Sequence, residues 1–367
     1  MRFLIYGDLQ ASDGHERCFN DTTMPLQRWR VNKTMDFLKE TYDTHKCDGL
    51  IDLGDTTDDR QAIPIPTIHS VLTPLSSFKG HNIKLMGNHE QWLRSTEVDP
   101  GVMYSNIFKV VKSHEVIDLT NCEAVFACVS YIDNEEELKK AIVDTVKKAH
   151  SKAKGRKVIL LGHFAVQGAV AHGLALKDGL ANEEIPKVDG AFLGHIHKFQ
   201  EFKPGHFYVG SPFQQDFGEM NETKYVIVFD TETGQSHQID TKMPQYRRQT
   251  LEQFEATVRE ESEDRFEVRM KSFEEAQRFY GHSLSHRAVP VYDYVESATN
   301  RPNVDKDRKE IVFDVQSLMK AYLENNPPSK KGIDIQEEDL LSFGTELMAK
   351  WWLKDWSWIM LEVVIPK

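Results

Sequence analysis

The chain has 367 residues, 40% of them hydrophobic and 28% charged, and a formal net charge of −12 at pH 7. That length allows one large domain with one or two smaller ones, and the apolar share suffices for a sizeable core. The acidic balance argues against a free-standing, tight nucleic-acid binder, because phosphate contacts need Lys and Arg; a local basic strip, bound metals or a partner can still supply a positive field. No apolar run is long enough to span a bilayer and the N-terminus has no signal-peptide pattern, so no membrane association is expected. Cys18, Cys47, Cys122 and Cys128 form no C-x-x-C pair, which fits reduced thiols in a cytoplasmic protein.

In chain order, the N-terminal half alternates strand and helix patterns, the signature of a layered α/β domain. Phe3–Tyr6 is an apolar strand that meets Asp8 at once. Val31, Met35, Leu38 and Tyr42 recur at helical spacing. Gly49–Leu53, Ile83–Met86 and Ala124–Tyr131 are further strands. A helix is expected after Asn134, with Glu137 in capping-box position and Leu138, Ile142 and Val146 on its apolar face. Val158–Leu161 and Ala191–Leu193 each end in Gly-His. Phe207–Gly210 and Tyr225–Asp230 are expected to complete a second sheet. The fold class is thus α/β (α+β), two stacked sheets flanked by helices. The expected domains are 1–235, a small α+β accessory domain at 236–304 that includes the strand Phe266–Met270, and a helical region at 305–367. In that last region one apolar stripe holds Leu318 and another Leu341, with a linker at 325–331. Trp351, Trp352, Trp356 and Trp358 crowd the tail, which reads equally as packing on the protein's own core or as a patch for a partner.

Five motifs stand where strands give way to loops: Gly7-Asp8-Leu9-Gln10, Gly54-Asp55-Thr56-Thr57-Asp58, Gly87-Asn88-His89-Glu90, Gly162-His163 and Gly194-His195-Ile196-His197. Each offers a hard oxygen or an imidazole. Ligands of these types without Cys suit Mn²⁺, with Mg²⁺, Fe²⁺ or Zn²⁺ as substitutes. The order and wording of the motifs resemble the calcineurin-like metallophosphoesterase superfamily. The stretch Gly210-Ser211-Pro212 through Phe217-Gly218-Glu219 looks like that of SbcD-type DNA nucleases, the nuclease subunit of the SbcCD complex.

The resemblance implies two divalent ions per chain and a two-metal hydrolysis of phosphodiesters. It implies that Asp55 bridges the ions, that Asp8 and His197 hold one, and that Asn88, His163 and His195 hold the other. His89 would assist the leaving oxygen or stabilise the transition state, oriented by Asp58; the alternative for Asp58 is a surface acid near Arg60. Relatives mostly carry D-x-H where this chain has Gln10, an amide that ligates more weakly than imidazole, and His15 could substitute. Gly210 and Ser211 would bring backbone close to a DNA phosphate, or form an ordinary turn. Glu90 is expected to pair locally, and His172 with other loop histidines to be solvated or structural.

By the same resemblance the chain acts on DNA, as an exonuclease on duplex ends and an endonuclease on single strands or hairpins. It would serve repair, recombination or replication as a homodimer with an SbcC-like SMC-type ATPase, the residues 236–304 capping the DNA approach and the C-terminal helices docking the ATPase. No Walker A pattern occurs in this chain. Two other readings remain open: a small-molecule or phosphoprotein phosphoesterase, and a non-catalytic DNA-binding subunit whose metal site Gln10 has weakened.

Overall fold

Residues 1–14, 24–58, 62–91 and 100–292 are described in the computed structural model on which this account rests. His15, Cys18, Arg60, the stripes around Leu318 and Leu341, the linker at 325–331 and the tryptophan tail lie outside the described residues.

The chain begins with β1 (Arg2–Tyr6), α1 (Leu26–Thr44), β2 (Gly49–Asp52), α2 (Ile65–Leu75), β3 (Ile83–Leu85), β4 (Lys109–Val111), β5 (His114–Asp118) and β6 (Ala124–Val129). It continues through α3 (Glu135–Ala153), β7 (Lys157–His163), the short hairpin β8 (Val170–Ala171) and β9 (Leu174–Ala175), and β10 (Gly190–Gly194). Four more strands follow: β11 (Gln200–Lys203), β12 (His206–Tyr208), β13 (Tyr225–Asp230) and β14 (Ser236–Asp240). The expected periodicities explain the helices. Val31, Met35, Leu38 and Tyr42 are all buried on α1. In α3 the Asn134 side chain accepts the Glu137 backbone N–H at 3.0 Å, and Leu138, Ile142 and Val146 turn inward.

Two six-stranded sheets result, ordered β14-β13-β1-β2-β3-β4 and β11-β12-β10-β7-β6-β5. Their inner faces share one apolar layer, with Phe3, Ile5, Leu53, Phe126, Phe192 and Phe229 all almost fully buried. Phe3 meets Phe126 edge-on, ring centroids 5.2 Å apart. The outer face of the first sheet is covered by α1 and α2, and that of the second by α3. Strands sandwiched on both faces read as continuous apolar runs, as these do.

Two expectations are corrected. Of the strands expected to finish the second sheet, only the one containing Phe207 does so; Tyr225–Asp230 returns to the first sheet, antiparallel to β1, with Leu4 opposite Val228. The β13–β14 hairpin then keeps Ser236–Asp240 in that sheet, so the first compact unit runs Met1–Arg247 rather than ending at 235. The second unit, Arg248–Lys367, has in its described part a separate core. There β15 (Tyr246–Thr250), α4 (Leu251–Thr257), β16 (Arg265–Met270), α5 (Phe273–Gly281) and β17 (Ala288–Tyr292) form a three-stranded sheet with two helices. Phe254, Phe266, Val268, Met270 and Phe279 fill its interior. Among the described residues no helix is long and apolar enough to cross a membrane.

Candidate metal centre

The C-terminal ends of β1, β2, β3, β7 and β10 lie side by side in their sheets, and each releases one of the five motifs. The backbone pairing of β1 and β2 persists past the strands: Asp8 N–H donates to Gly54 C=O, Gln10 N–H to Asp55 C=O and Ala11 N–H to Thr56 C=O, at 2.8–2.9 Å. Asp8, Gln10, Asp55 and His195 all have positive φ, at 52°, 47°, 53° and 87°. Left-handed backbone is uncommon for residues with side chains and gathers at functional sites, where surrounding contacts hold it.

The side chains so presented converge. Asn88 Oδ1 lies 2.8 Å from His195 Nδ1 and 3.1 Å from His163 Nε2, and His163 Nε2 lies 3.4 Å from Asp55 Oδ2. His163 Nδ1 donates to the Leu53 carbonyl at 2.8 Å, which aims Nε2 into the cluster. Asp8 accepts the His195 backbone N–H on both carboxylate oxygens, at 2.9 and 3.1 Å. One ligand atom from each of Asp8, Asp55 and His163 falls within 4.8 Å of the others, all three residues being buried. Buried carboxylates and imidazoles facing one another, with an amide oxygen between them, are a donor set that fits a divalent cation. Tyr131, at the end of β6, packs its ring 6.0 Å from that of His195 and 6.3 Å from that of His163.

The electrostatics agree. Burial pushes the Asp8 carboxyl up, against the pull of His163 and His197. Burial also opposes the charge on Asp55, but His163 and His89 outweigh it and hold that carboxyl below the ordinary range. His163 is the other half of that pair: burial would lower it, and Asp55 holds it above the ordinary imidazole value. His195 goes the other way, to about 4, through burial and the charge on His163.

At the opposite edge, His197 Nδ1 donates to Glu219 Oε1 at 2.8 Å, leaving Nε2 toward the site. The Gln10 amide donates to that Nε2 at 2.9 Å. As placed, the amide nitrogen occupies the lone pair a cation would take, so the amide must turn for its oxygen and the imidazole to ligate together. His89 sits beside the centre. Its backbone N–H donates to Asp55 Oδ1 at 2.8 Å, and its Nδ1 meets the Asp58 carbonyl at 2.7 Å and the Asp58 carboxylate at 3.2 Å. The Asp58 hydrogen bond, opposed by burial and aided by Asp55, raises His89 to about 9.

Residues 1–199 match the calcineurin-like phosphoesterase family. The chain belongs to that family. Solved structures with a related fold include an archaeal phosphodiesterase, 12% identical over 65% of this chain and 99% of its own, with a TM-score of 0.33. A dimetal phosphatase from Danio rerio is 10% identical over 66% and 99%, at 0.39, and the calcineurin-like phosphoesterase YfkN from Bacillus subtilis 12% over 65% and 88%, at 0.38. No curated protein sequence matches the chain. As a calcineurin-like phosphoesterase the chain is a metal-dependent hydrolase of phosphate esters.

Gly210 and Ser211, expected either to bring backbone close to a DNA phosphate or to form an ordinary turn, are buried in this phosphoesterase. Ser211 is 0% exposed and its hydroxyl donates to the Phe213 carbonyl at 2.9 Å. A Cβ on Gly210, whose φ is +77°, would sit 2.6 Å from the His197 carbonyl oxygen, so glycine lets the segment close on the 197–199 backbone.

Two groups escaped the sequence reading. Glu219 was seen only as part of a motif, yet it is buried and holds both His197 and, at 2.7 Å, Lys224. Lys84 is fully buried, 3.1 Å from Asp52 and 2.7 Å from Glu90, with the Tyr104 ring centroid 4.5 Å away. Glu90 pairs locally, as expected. Its two oxygens accept the backbone N–H groups of Gly87, Asp55 and Thr56 at 2.9–3.2 Å, tying the loop after β3 to the loop after β2. The only sequence signal for Lys84 was a lysine in an otherwise apolar strand.

Proposed function

We propose that this phosphoesterase is a DNA nuclease of SbcD type, acting on phosphodiesters with two bound divalent ions, Mn²⁺ foremost. In this reading Asp8, Gln10 and His197 would hold one ion, Asn88, His163 and His195 the other, and Asp55 both. The ions, when bound, would supply Lewis acidity to the phosphoryl oxygens and lower the pKa of the attacking water. The chain's own part is positional. Asp58 keeps the His89 ring fixed and protonated at neutral pH, so its other nitrogen is available to donate to a phosphoryl or leaving oxygen.

The observation that carries the nuclease reading over a general phosphoesterase is the course of residues 210–219. This stretch, which resembles the nuclease pattern, forms a wall of the metal centre: Ser211 N–H donates to the His197 carbonyl at 3.0 Å, the Gln215 amide reaches the Asp8 carbonyl at 3.3 Å, and Glu219 holds His197. An SbcC-like ATPase as partner would supply the DNA grip that a net charge of −12 does not, and the pair would work in the cytoplasm.

The test is Mn²⁺-dependent digestion of end-labelled duplex DNA, with His89→Ala as control and a phosphomonoester as the competing substrate. Digestion by the parent, at least about 100-fold faster than by the variant, supports the reading. Rapid phosphomonoester turnover with intact DNA would move the assignment to a small-molecule or phosphoprotein phosphoesterase.

A further inference from the structure

Beside His197, and reaching His195 of the Asn88 cluster, lies a cavity of about 130 Å³. A water's share of liquid volume is about 30 Å³, so the space admits a group of several heavy atoms. His172, His197, Lys198, Glu219 and Glu222 line it. Neither His172 nor Lys198 has a part in the centre described above.

The hairpin that carries His172 is built to put it there. Ala171 pairs with Leu174, so the turn between β8 and β9 is His172-Gly173, and both have positive φ, 47° and 79°. A two-residue turn of that kind favours Asn, Asp or Gly at its first position, and histidine is a less usual occupant. Its imidazole lies against Gly218 of the Phe217-Gly218-Glu219 segment, where a Cβ would come 2.8 Å from His172 Nδ1. The missing side chain at 218 makes room for the ring.

The charges around the cavity are unequal. Glu219 pairs with His197 at 2.8 Å and with Lys224 at 2.7 Å, and Glu222 shares that one ammonium at 3.0 Å. Among the described residues Lys198 and His172 have no carboxylate in ion-pair range. Lys198 and His172 thus offer a ligand one ammonium and one imidazole, both lining the cavity beside His197.

We propose that this cavity is a subsite for a second phosphate of the substrate, next along the chain from the phosphate held at the metal centre. It rests on the phosphoesterase assignment and deepens the nuclease reading, since a polynucleotide offers a phosphate on each side of the bond being cut. A nucleoside diphosphate offers the same chemistry from another source, and the test separates the two.

The experiment uses the full chain with Ca²⁺ in place of the catalytic ion and measures binding of fluorescein-labelled oligothymidylate by anisotropy, with ADP and inorganic phosphate as competitors. The variants are His172→Asn, which keeps a residue that tolerates the left-handed turn, Lys198→Gln, their combination, and Gly218→Ala, which crowds the imidazole from the other side. The double variant should bind oligothymidylate about tenfold more weakly, and its slope of log affinity against log salt should fall by about one, the signature of one lost phosphate contact. Gly218→Ala should weaken binding in the same direction, while competition by inorganic phosphate changes less than about twofold.

Unchanged affinity and slope in the double variant, or an equal loss for inorganic phosphate, overturns the subsite and leaves the nuclease reading standing if the parent still cuts DNA. Binding of ADP that the double variant loses, with oligothymidylate ignored by the parent, keeps the subsite and removes the polynucleotide. A parent that binds neither two-phosphate ligand overturns the subsite.

Discussion

His197 has both ring nitrogens committed: Nδ1 to Glu219 and Nε2 to the Gln10 amide. The carboxylate sets the tautomer, and a ligating imidazole depends on such a partner for its orientation and basicity. Glu219→Gln keeps an acceptor for Nδ1 but removes the charge that also neutralises buried Lys224. We expect Mn²⁺ affinity, measured by calorimetry, to fall about 10–100-fold at one of two sites, and an unchanged isotherm would remove Glu219 from the role. The Asp55–His163 pair gives a second expectation. In the metal-free protein Asp55 holds His163 protonated above its ordinary range, whereas a ligating imidazole must be neutral. Cation binding near pH 7 must therefore expel that proton, and affinity should rise about tenfold per pH unit from about 6, where Asp8 protonates, up to the raised His163 value. Below that window Asp8, pushed up by burial, adds a second proton to displace and steepens the fall. Calorimetry in buffers of different ionisation enthalpy reads the proton directly, and heats independent of buffer would contradict the pairing. The residue types of this cluster were legible because imidazole, amide and carboxylate gather at the ends of adjacent strands. Glu219 was not, because nothing in Phe-Gly-Glu tells that the acid points inward.

Across the first sheet, Tyr6, Asp52 and Lys84 stand in one row, since Tyr6 pairs with Asp52 and Asp52 with Lys84 in parallel register. Tyr6 Oη and Thr56 Oγ1 both donate to the Asp52 carboxylate, at 2.9 and 2.6 Å, and Lys84 closes the row onto Glu90. This network joins the elements that matter most, the loops after β2 and β3, which carry Asp55 on one side and Asn88 and His89 on the other. Gly87 lies so close to Asp55 that a Cβ there would collide with its carboxylate. Lys84→Met leaves two buried carboxylates without their cation, and breaking a buried pair in this way costs about 3–5 kcal/mol. Chemical denaturation should show a loss of that size, with weakened cation binding in the fraction that stays folded. A loss below about 1 kcal/mol, the scale of an exposed ion pair, would mean the ammonium is not the keystone of these loops. The strands themselves were legible as short apolar runs bounded by glycine. Their partners were not: Tyr225–Asp230 is apolar enough for either sheet, and only its antiparallel pairing with β1 decides. A lysine within such a run reads as solvent-facing, so the inward course of Lys84 also stayed hidden.

For the molecule as a whole, layered α/β architecture was legible from alternating periodicities, whereas the boundary at 235 was not. A Thr-Glu-Thr-Gly turn reads as the end of a domain, but here it is the tip of the β13–β14 hairpin, and the first unit continues to Arg247. Among the described residues, three of the four apolar clusters and every candidate ligand belong to that unit, while the fourth cluster belongs to the second. A domain with its own core folds alone in principle. The fragment 1–247 should therefore fold, bind Mn²⁺ and hydrolyse bis-p-nitrophenyl phosphate with constants within about twofold of the full chain, the scatter expected of parts that act independently. Digestion of duplex DNA makes a different demand, because a long polyanion needs contacts beyond the centre. If residues after 247 shape the DNA approach, the fragment loses duplex digestion while it keeps the small diester. Parallel assays of both substrates on the fragment and the full chain separate the cases. Equal retention would place all substrate recognition before Arg248, and loss of both with a melted circular-dichroism spectrum would show that the first core does not stand without the second.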